Sequence, residues 1–413
     1  MEQQEQKHIL LTNIWLSSYT GSELNCLCLA SALRKMGYNI EVTTFSLDKP
    51  IIDDFKSENF SVAVLPNENL SRTHYDLIWA HHSIVLDYIL FKLNISADKI
   101  IFSSLSPFEP YEVIPPYVNN LTLCLANSEE TKERLLLEGA NPQLVSVFPN
   151  YVDDSWVLYK ARESYPEYPH KIAIVSNHVA KELSEAAYLL KDSCVVDIFG
   201  LGHTFVKITP DILSVYDLVI TIGKTVQFSM SISQPVFVYD IHGGPGYLNK
   251  DNLDRAAHFN FSGRGFSKMT ADELIDEIFD KYKNNLQFLN ILKQYVFKNC
   301  ILETNIKKLL QQLETLPTLC CNNLREQYGY MFRSNAALLR LFLTNKDQNH
   351  LIYKLQEQIN SLNQLVSEQH EQILSFNQHI SWLGYKFFFR LKRFVKRIIK
   401  RIFLKNNNNP PTY

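Results

Sequence analysis

The sequence predicts an α/β protein made of two successive open parallel-sheet units, followed by a long helical segment. Three observations carry this. Short apolar runs alternate with helical patterns over the first 150 residues. The alternation breaks over residues 151–170 and then restarts, and after about Leu343 it gives way to a sustained heptad.

In the first unit the apolar runs predict strands at His8–Ile14, Asn39–Phe45, Ser61–Leu65, Asp76–Ala80, Lys99–Phe102, Thr122–Ala126 and Leu144–Phe148. Helices are predicted over Ser22–Met36 and Ser128–Glu138. Each opens on a capping serine with glutamate in its first turn and stops at a glycine, Gly37 or Gly139. The stretch Tyr151–His170, richer in Pro, Tyr and charge, predicts a linker. The second unit then follows, with strands at Lys171–Val175, Val195–Phe199, Leu218–Ile222 and Val236–Tyr239 and a helix at Ala180–Lys191. Thr270-Ala-Asp-Glu273 is a capping box that opens another helix. Two such units put the natural ligand cleft between them.

The C-terminal region has two parts. Ile352, Leu355, Ile359, Leu362, Val366, Gln369, Ile373, Phe376, Ile380 and Leu383 follow alternating steps of three and four, and Gln369 alone is polar. The period of 3.5 predicts a self-associating coiled coil; the alternative is a long helix docked on the chain's own body. Beyond it, Phe387, Leu391, Phe394 and Ile398 fall on one helical face, with Arg390, Arg393, Arg397 and Arg401 on the other. A basic amphipathic helix of this kind lies in a membrane interface, apolar face among acyl chains and cations at anionic headgroups. The alternatives are a partner-binding helix and a nucleic-acid arm, and the bulky Phe and Ile side chains argue against the latter.

Charge and composition agree with this division. The 413 residues are 46% hydrophobic and 12% aromatic, which excludes disorder as the main state. Net charge is −2, yet Lys386–Lys405 holds nine basic side chains and no acid, leaving the first 385 residues at −11. Seven cysteines without a C-x-x-C pair fit a reducing compartment better than a disulfide frame or zinc site. The polar N-terminus is unlike a signal peptide, and no apolar run nears the ~18–20 residues of a membrane span.

Four post-strand loops could carry chemistry. In Ser17–Glu23, Gly21 permits close backbone approach, and amides near Ser22 offer an anion site at a helix N-terminus. His81 and His82 follow a strand and could hydrogen-bond hydroxyls or shuttle a proton, and Glu109 is the carboxylate of a similar loop. A plain loop pair is the structural alternative for the histidines, and no third metal ligand accompanies them. Gly223, Lys224 and Thr225 form a strand-to-helix turn suited to a diphosphate, although Leu218 stands where a P-loop needs its first glycine. Tyr239–Gly246 holds Asp240 and three glycines, Gly243 and Gly244 among them. His178, just past the strand Lys171–Val175, joins the candidates on this side.

The order of these motifs resembles a known family. Thr20-Gly-Ser-Glu23, Leu29-Ala-Ser-Ala-Leu-Arg-Lys-Met-Gly37, Leu125-Ala-Asn-Ser-Glu-Glu-Thr131 and Val147-Phe-Pro-Asn-Tyr-Val-Asp153 resemble the N-terminal half of GT-B glycosyltransferases. They look most like the retaining, family 4-like (group 1) enzymes that build bacterial polysaccharides. Gly223–Met230 with Gln234–Tyr247 is similar to the donor-binding half of a polysaccharide-associated subgroup, and the likeness covers about residues 8–315. It implies two Rossmann-like domains facing a cleft. Residues 1–165 would form the acceptor-side domain and linker, and 166–318 the nucleotide-sugar donor domain. After them come a helical connector (319–349), the coiled coil (350–383) and the membrane tail (384–413).

The likeness further implies a hexosyltransferase using a nucleotide diphosphate sugar, with no separate cofactor and no metal, acting on a glycan or lipid-linked glycan for capsule or O-antigen. Gly21 and Ser22 would face the donor diphosphate and Lys224 with Thr225 would hold it. Gly243 and Gly244 would border the donor sugar, and His81 or His82 would lie by the acceptor. One departure stands out: the family's two glutamates eight positions apart have no counterpart, since the second aligns with Phe228 and no acid lies near Ile220. A sugar-nucleotide epimerase and a catalytically inactive membrane scaffold are the alternatives. The expected location is cytoplasmic, peripheral at the inner membrane face, as a homo-oligomer with no nucleic-acid partner.

Overall fold

The computed structural model describes residues 6–160 and 162–330, and beyond them only scattered positions, among which residues 390–394, 396 and 397 are helical. Two parallel-type sheets organise the body. The first contains β1 (His8–Thr12), β2 (Asn39–Thr44), β3 (Val62–Val64), β4 (His74–His81), β5 (Ser96–Ser104), β6 (Leu123–Ala126) and β7 (Val145–Val147). All are parallel, in the order β3-β2-β1-β4-β5-β6-β7. The second contains β8 (Lys171–Val175), β9 (Val195–Phe199), β10 (Leu218–Thr221), β11 (Val236–Asp240) and β12 (Gly243–Tyr247). Its order is β12-β11-β10-β8-β9, with β12 antiparallel.

Helices cover the sheets: α1 (Gly21–Lys35), α2 (Ile51–Ser57), α3 (Ser83–Asp87) and α4 (Glu129–Leu137) on the first. The crossing segment carries α5 (Asp154–Val157). The second unit has α6 (Lys181–Leu189), α7 (Pro210–Ser214), α8 (Lys224–Ser231), α9 (Leu253–His258), α10 (Ala271–Asn285) and α11 (Leu289–Asn299), and α12 (Leu302–Thr315) follows. In the second sheet Val219 faces one core with Val226 and Val296, while Leu218 and Ile220 face another with Leu183, Leu274 and Ile278. Burial on both faces is why these strands read as continuous apolar runs.

The structure corrects four details. The cap of α1 is Thr20, two residues before the expected Ser22, because Glu23 bonds back to Thr20 and closes a capping box. The glycine-rich stretch expected as a loop is strand β12. There Gly244 is so close to Val238 that a Cβ would sit 2.0 Å from its carbonyl oxygen. The linker is not free chain: Val152 pairs with Ile301, and α5 packs Trp156 into the second core. The expected boundary at 318 does not follow the packing either. From α12, Leu302, Ile306, Leu309 and Leu313 are buried with Leu29 and Leu33 of α1, so α12 returns to the first domain. Leu319 and Arg325 then bond to Asp98, Leu90 and Ile95 of that domain.

Candidate active site between the two sheets

Ligands of open α/β sheets bind at the carboxyl ends of strands where the strand order reverses. In the first sheet that point lies between β1 and β4, in the second between β8 and β10. A cavity of about 460 Å³ lies there, taking Tyr19, Gly21 and Leu24 from the first domain and the ends of β8, β10 and β11 from the second. Its volume suits one nucleotide-sized ligand.

Lys224 is the first residue of α8, after Gly223, whose φ of +60° requires glycine. Its ammonium donates to Asn25 Oδ1 of α1 at 2.6 Å and stands 4.4 Å from the centre of the Tyr151 ring. Tyr151 in turn donates to the Asn25 carbonyl at 2.9 Å. Burial lowers the Lys224 pKa from the usual lysine value, partly offset by Cys28 and Asp153 nearby. The next residue, Thr225, lines the same cavity. The positive end of α8 and this ammonium make the second domain's edge attractive to an anion.

Opposite, Gly21 opens α1 with free space around its Cβ position. Glu23 is fully buried and accepts from the amides of Ser17, Ser18 and Thr20 at 2.6, 2.9 and 3.1 Å. Those amides are therefore spent, and the N–H groups of Gly21 and Ser22 remain as the donors at this helix end. Burial raises the Glu23 pKa against the pull of these hydrogen bonds.

His81 ends β4 beside β1 and His82 follows it as the cap of α3, both buried. His81 Nδ1 lies 3.1 Å from the Thr12 carbonyl, which marks that nitrogen as a donor. His82 Nδ1 accepts from the Ile14 amide at 3.3 Å, leaving the proton on Nε2. Burial pushes their pKa values down to about 4 and about 3, so both rings are neutral near pH 7. His81 lines a narrow pocket with Asn25, Asn127 and Asn150 rather than the large cavity.

Glu109 lies half-buried at the turn after β5, its amide bonded to Ser106. The buried carboxylate of that loop is Glu112, three residues on. It accepts from the Leu105 amide, from Ser106 N at 2.7 Å and from Ser104 Oγ at 3.1 Å, and burial raises its pKa to about 7. On the donor side His178 is exposed and lines the cavity. Asp240 lines it too, but its oxygens accept the His242 amide at 2.7 Å and the Gly263 amide at 3.0 Å. Gly243 and Gly244 lie buried in β12, where close packing against Ser267 and Val238 already demands glycine.

Sequence reasoning missed Asn25, Tyr151 and Arg264. Arg264 lines the cavity and makes a two-pronged pair with Glu130 of α4, 134 residues away. Its flanking glycines, Gly263 and Gly265, were the one local signal. A second cavity of about 560 Å³ shares Lys224 and Phe228 with the first. There Phe228 stacks flat on Trp156, with ring centres 4.1 Å apart. In the tail, Arg390, Leu391, Arg393, Phe394 and Arg397 are helical and exposed. Phe387, Ile398, Arg401 and most of the heptad seam lie outside the described residues.

No family model and no curated protein sequence matches the chain. Solved structures do match it in fold. HepE of Anabaena, in complex with UDP and glucose, is 15% identical; the match covers 75% of this chain and 100% of HepE at a TM-score of 0.53. A glycosyltransferase of Rickettsia africae is 13% identical over 75% of this chain and 98% of its own, also at 0.53. TarM is 10% identical over 76% and 100%, again at 0.53. The fold is GT-B. Within this GT-B chain the cleft, Lys224 and the α1 N-terminus all meet at the two switch points.

Proposed function

We propose that the protein is a glycosyltransferase that moves a sugar from a nucleotide diphosphate onto a glycan or lipid-linked glycan of a bacterial surface polysaccharide. The observation that carries this reading is Lys224 at the N-terminus of α8, facing the α1 N-terminus across a cavity of about 460 Å³. HepE, of like fold, is described with UDP and with UDP-glucose, which makes a nucleotide sugar the first ligand to try.

In the reaction the bond between the anomeric carbon and the β-phosphate oxygen breaks, and the acceptor oxygen bonds to that carbon. Negative charge builds on the departing diphosphate, where Lys224, Thr225 and the amides of Gly21 and Ser22 would stabilise it. His81 and His82, neutral and weakly basic, suit holding acceptor hydroxyls better than taking their proton. Asp240 is the one carboxylate lining the cavity among the described residues, and two amides already occupy it. We therefore assign the acceptor proton to the leaving diphosphate oxygen, on the same face of the sugar, which retains the anomeric configuration. The electrostatic role falls to the chain's own groups and calls for no metal.

The basic tail would hold the enzyme at the inner face of the membrane, where lipid-linked acceptors are found, and the heptad would pair copies of the chain. Phe228 on Trp156 favours one second reading, an inactive scaffold, because an aromatic pair fills a place where a carboxylate would grip the donor. A calorimetric screen against UDP, GDP, TDP and CMP without added metal separates the two. Selective binding of one nucleoside diphosphate supports the transferase; no binding to any of them supports the scaffold.

A further inference from the structure

We propose that Arg264 is a second phosphate-binding cation of this site, held by Glu130 until the donor enters. The assignment rests on the nucleotide-diphosphate reading above. A nucleoside diphosphate brings two to three negative charges, and Lys224 alone leaves most of them uncompensated.

Arg264 is placed with unusual firmness for an arginine in a surface loop. The Gly263 amide donates to Asp240 Oδ2 at 3.0 Å, and a Cβ on Gly263 would lie 2.0 Å from the Gly243 carbonyl oxygen. Gly265, at φ +78°, lies so close to Phe259 that a Cβ would meet its ring at 2.3 Å. The same loop accepts the Gly223 amide on the Phe261 carbonyl at 3.0 Å. Gly223 caps the helix that Lys224 begins, so one loop ties Arg264 both to that helix start and to Asp240. Both residues line one cavity.

The guanidinium is only partly used. Its Nε lies 2.9 and 3.0 Å from the two Glu130 oxygens, and Nη2 lies 2.6 Å from Oε2 and 3.4 Å from the Phe259 carbonyl. Nη1, with its two N–H donors, has no partner among the described residues. The group also lies 5.2 Å over the ring of Phe108, an exposed side chain of the loop that carries Glu109. Arginine matches phosphate by a planar pair of N–H donors: Nη1 can make the first contact, and Nε and Nη2 become available as the phosphate displaces Glu130. Glu130 is then a competitor for the phosphate as well as a latch between the domains.

These two roles separate in mutants. A simple latch loses the same contact whichever partner is changed, so Arg264→Gln and Glu130→Gln would shift nucleotide affinity alike. A phosphate-binding arginine gives opposite signs. We expect Arg264→Gln to weaken nucleoside diphosphate binding at least tenfold and Glu130→Gln to leave it equal or tighter, by calorimetry with UDP, GDP and TDP. The corresponding monophosphates locate the contact: the loss in Arg264→Gln should be much smaller with UMP than with UDP. Equal shifts in the two variants, or unchanged affinity in Arg264→Gln with its thermal midpoint intact, would overturn the assignment. Arg264→Lys covers the case in which the glutamine variant fails to fold, with partial rescue expected. Wild-type protein that binds none of the nucleotides removes the transferase reading itself, and this assignment with it.

Discussion

Lys224 Nζ and Asn25 Oδ1 lie 2.6 Å apart, joining the first turn of α8 in one domain to α1 in the other. Asn25 is a neutral acceptor, so it orients the ammonium without cancelling its charge. The Tyr151 ring faces the same cation, and burial lowers its pKa. The ammonium is thus half-buried against two neutral contacts, with the Asp153 carboxylate nearby but not bonded to it among the described residues, which is the setting our reading gives to an incoming anion.

Replacing Lys224 by methionine keeps the stem against Tyr151 and Phe228 and removes the charge. A hydrogen bond to a charged group contributes about 1.5–3 kcal/mol, so nucleoside diphosphate affinity should drop roughly 10- to 100-fold. The thermal midpoint should move by only a few degrees. Calorimetry and a thermal melt on the same sample check both, and unchanged affinity would take Lys224 out of the site.

The paired histidines predict acid sensitivity. With folded pKa values of about 4 and about 3, both stay neutral where an unfolded histidine is charged. Between the folded values and about 6.5 the unfolded chain therefore binds more protons than the native one, and stability rises with pH through that window. His82→Asn keeps an acceptor for the Ile14 amide and tolerates the φ of +67° at this position. It should shrink the stability lost between pH 7 and pH 5 by about 2 kcal/mol. Urea unfolding at the two pH values measures this, and an undiminished loss would show that His82 titrates normally.

Much of the architecture was legible because apolar runs and glycine stops are local signals. His8–Thr12, Asn39–Thr44 and Lys171–Val175 form strands where their apolar runs fall, and α4 starts at Ser128, whose side chain accepts the Thr131 amide. What stayed hidden depends on distant partners. Gly243–Tyr247 looks like a turn because three glycines have no apolar periodicity, yet those glycines let β12 pack on β11. Glu112 outranks Glu109 in burial only because Ser104, Leu105 and Ser106 fold back onto it. Arg264 gains its meaning from Glu130, and nothing in its neighbourhood names that partner.

The glycines of the second domain sort by what a methyl group would strike. At Gly244 a Cβ would lie 2.0 Å from Val238 O, whereas at Gly202 (φ +80°) it would meet nothing within 4 Å. Gly244→Ala must push β12 away from β11 and should cost more than about 4 kcal/mol. Gly202→Ala carries backbone strain alone, roughly 1–2 kcal/mol. Parallel urea titrations should rank them in that order. Equal costs would mean that Gly244 is loop after all, as the sequence alone implies.

Helix α12 supplies the last prediction, because its place in the chain and its place in the core disagree. It follows the whole second domain in sequence, yet Ile306 is fully buried among first-domain side chains, Leu29 and Leu33 of α1 with Leu11 of β1. Ile306→Ala removes three methyl-sized groups from that core and should cost about 2–5 kcal/mol. The loss has a predicted location. Hydrogen exchange should accelerate at the amides of β1 and β2, which share this core, and hold steady at β10 and β11, which do not. Faster exchange confined to β10 and β11 would assign α12 to the second domain. The stated pattern would mean that the chain closes on its first domain, with α12 as a strap fixing how far the two halves of the cleft can part.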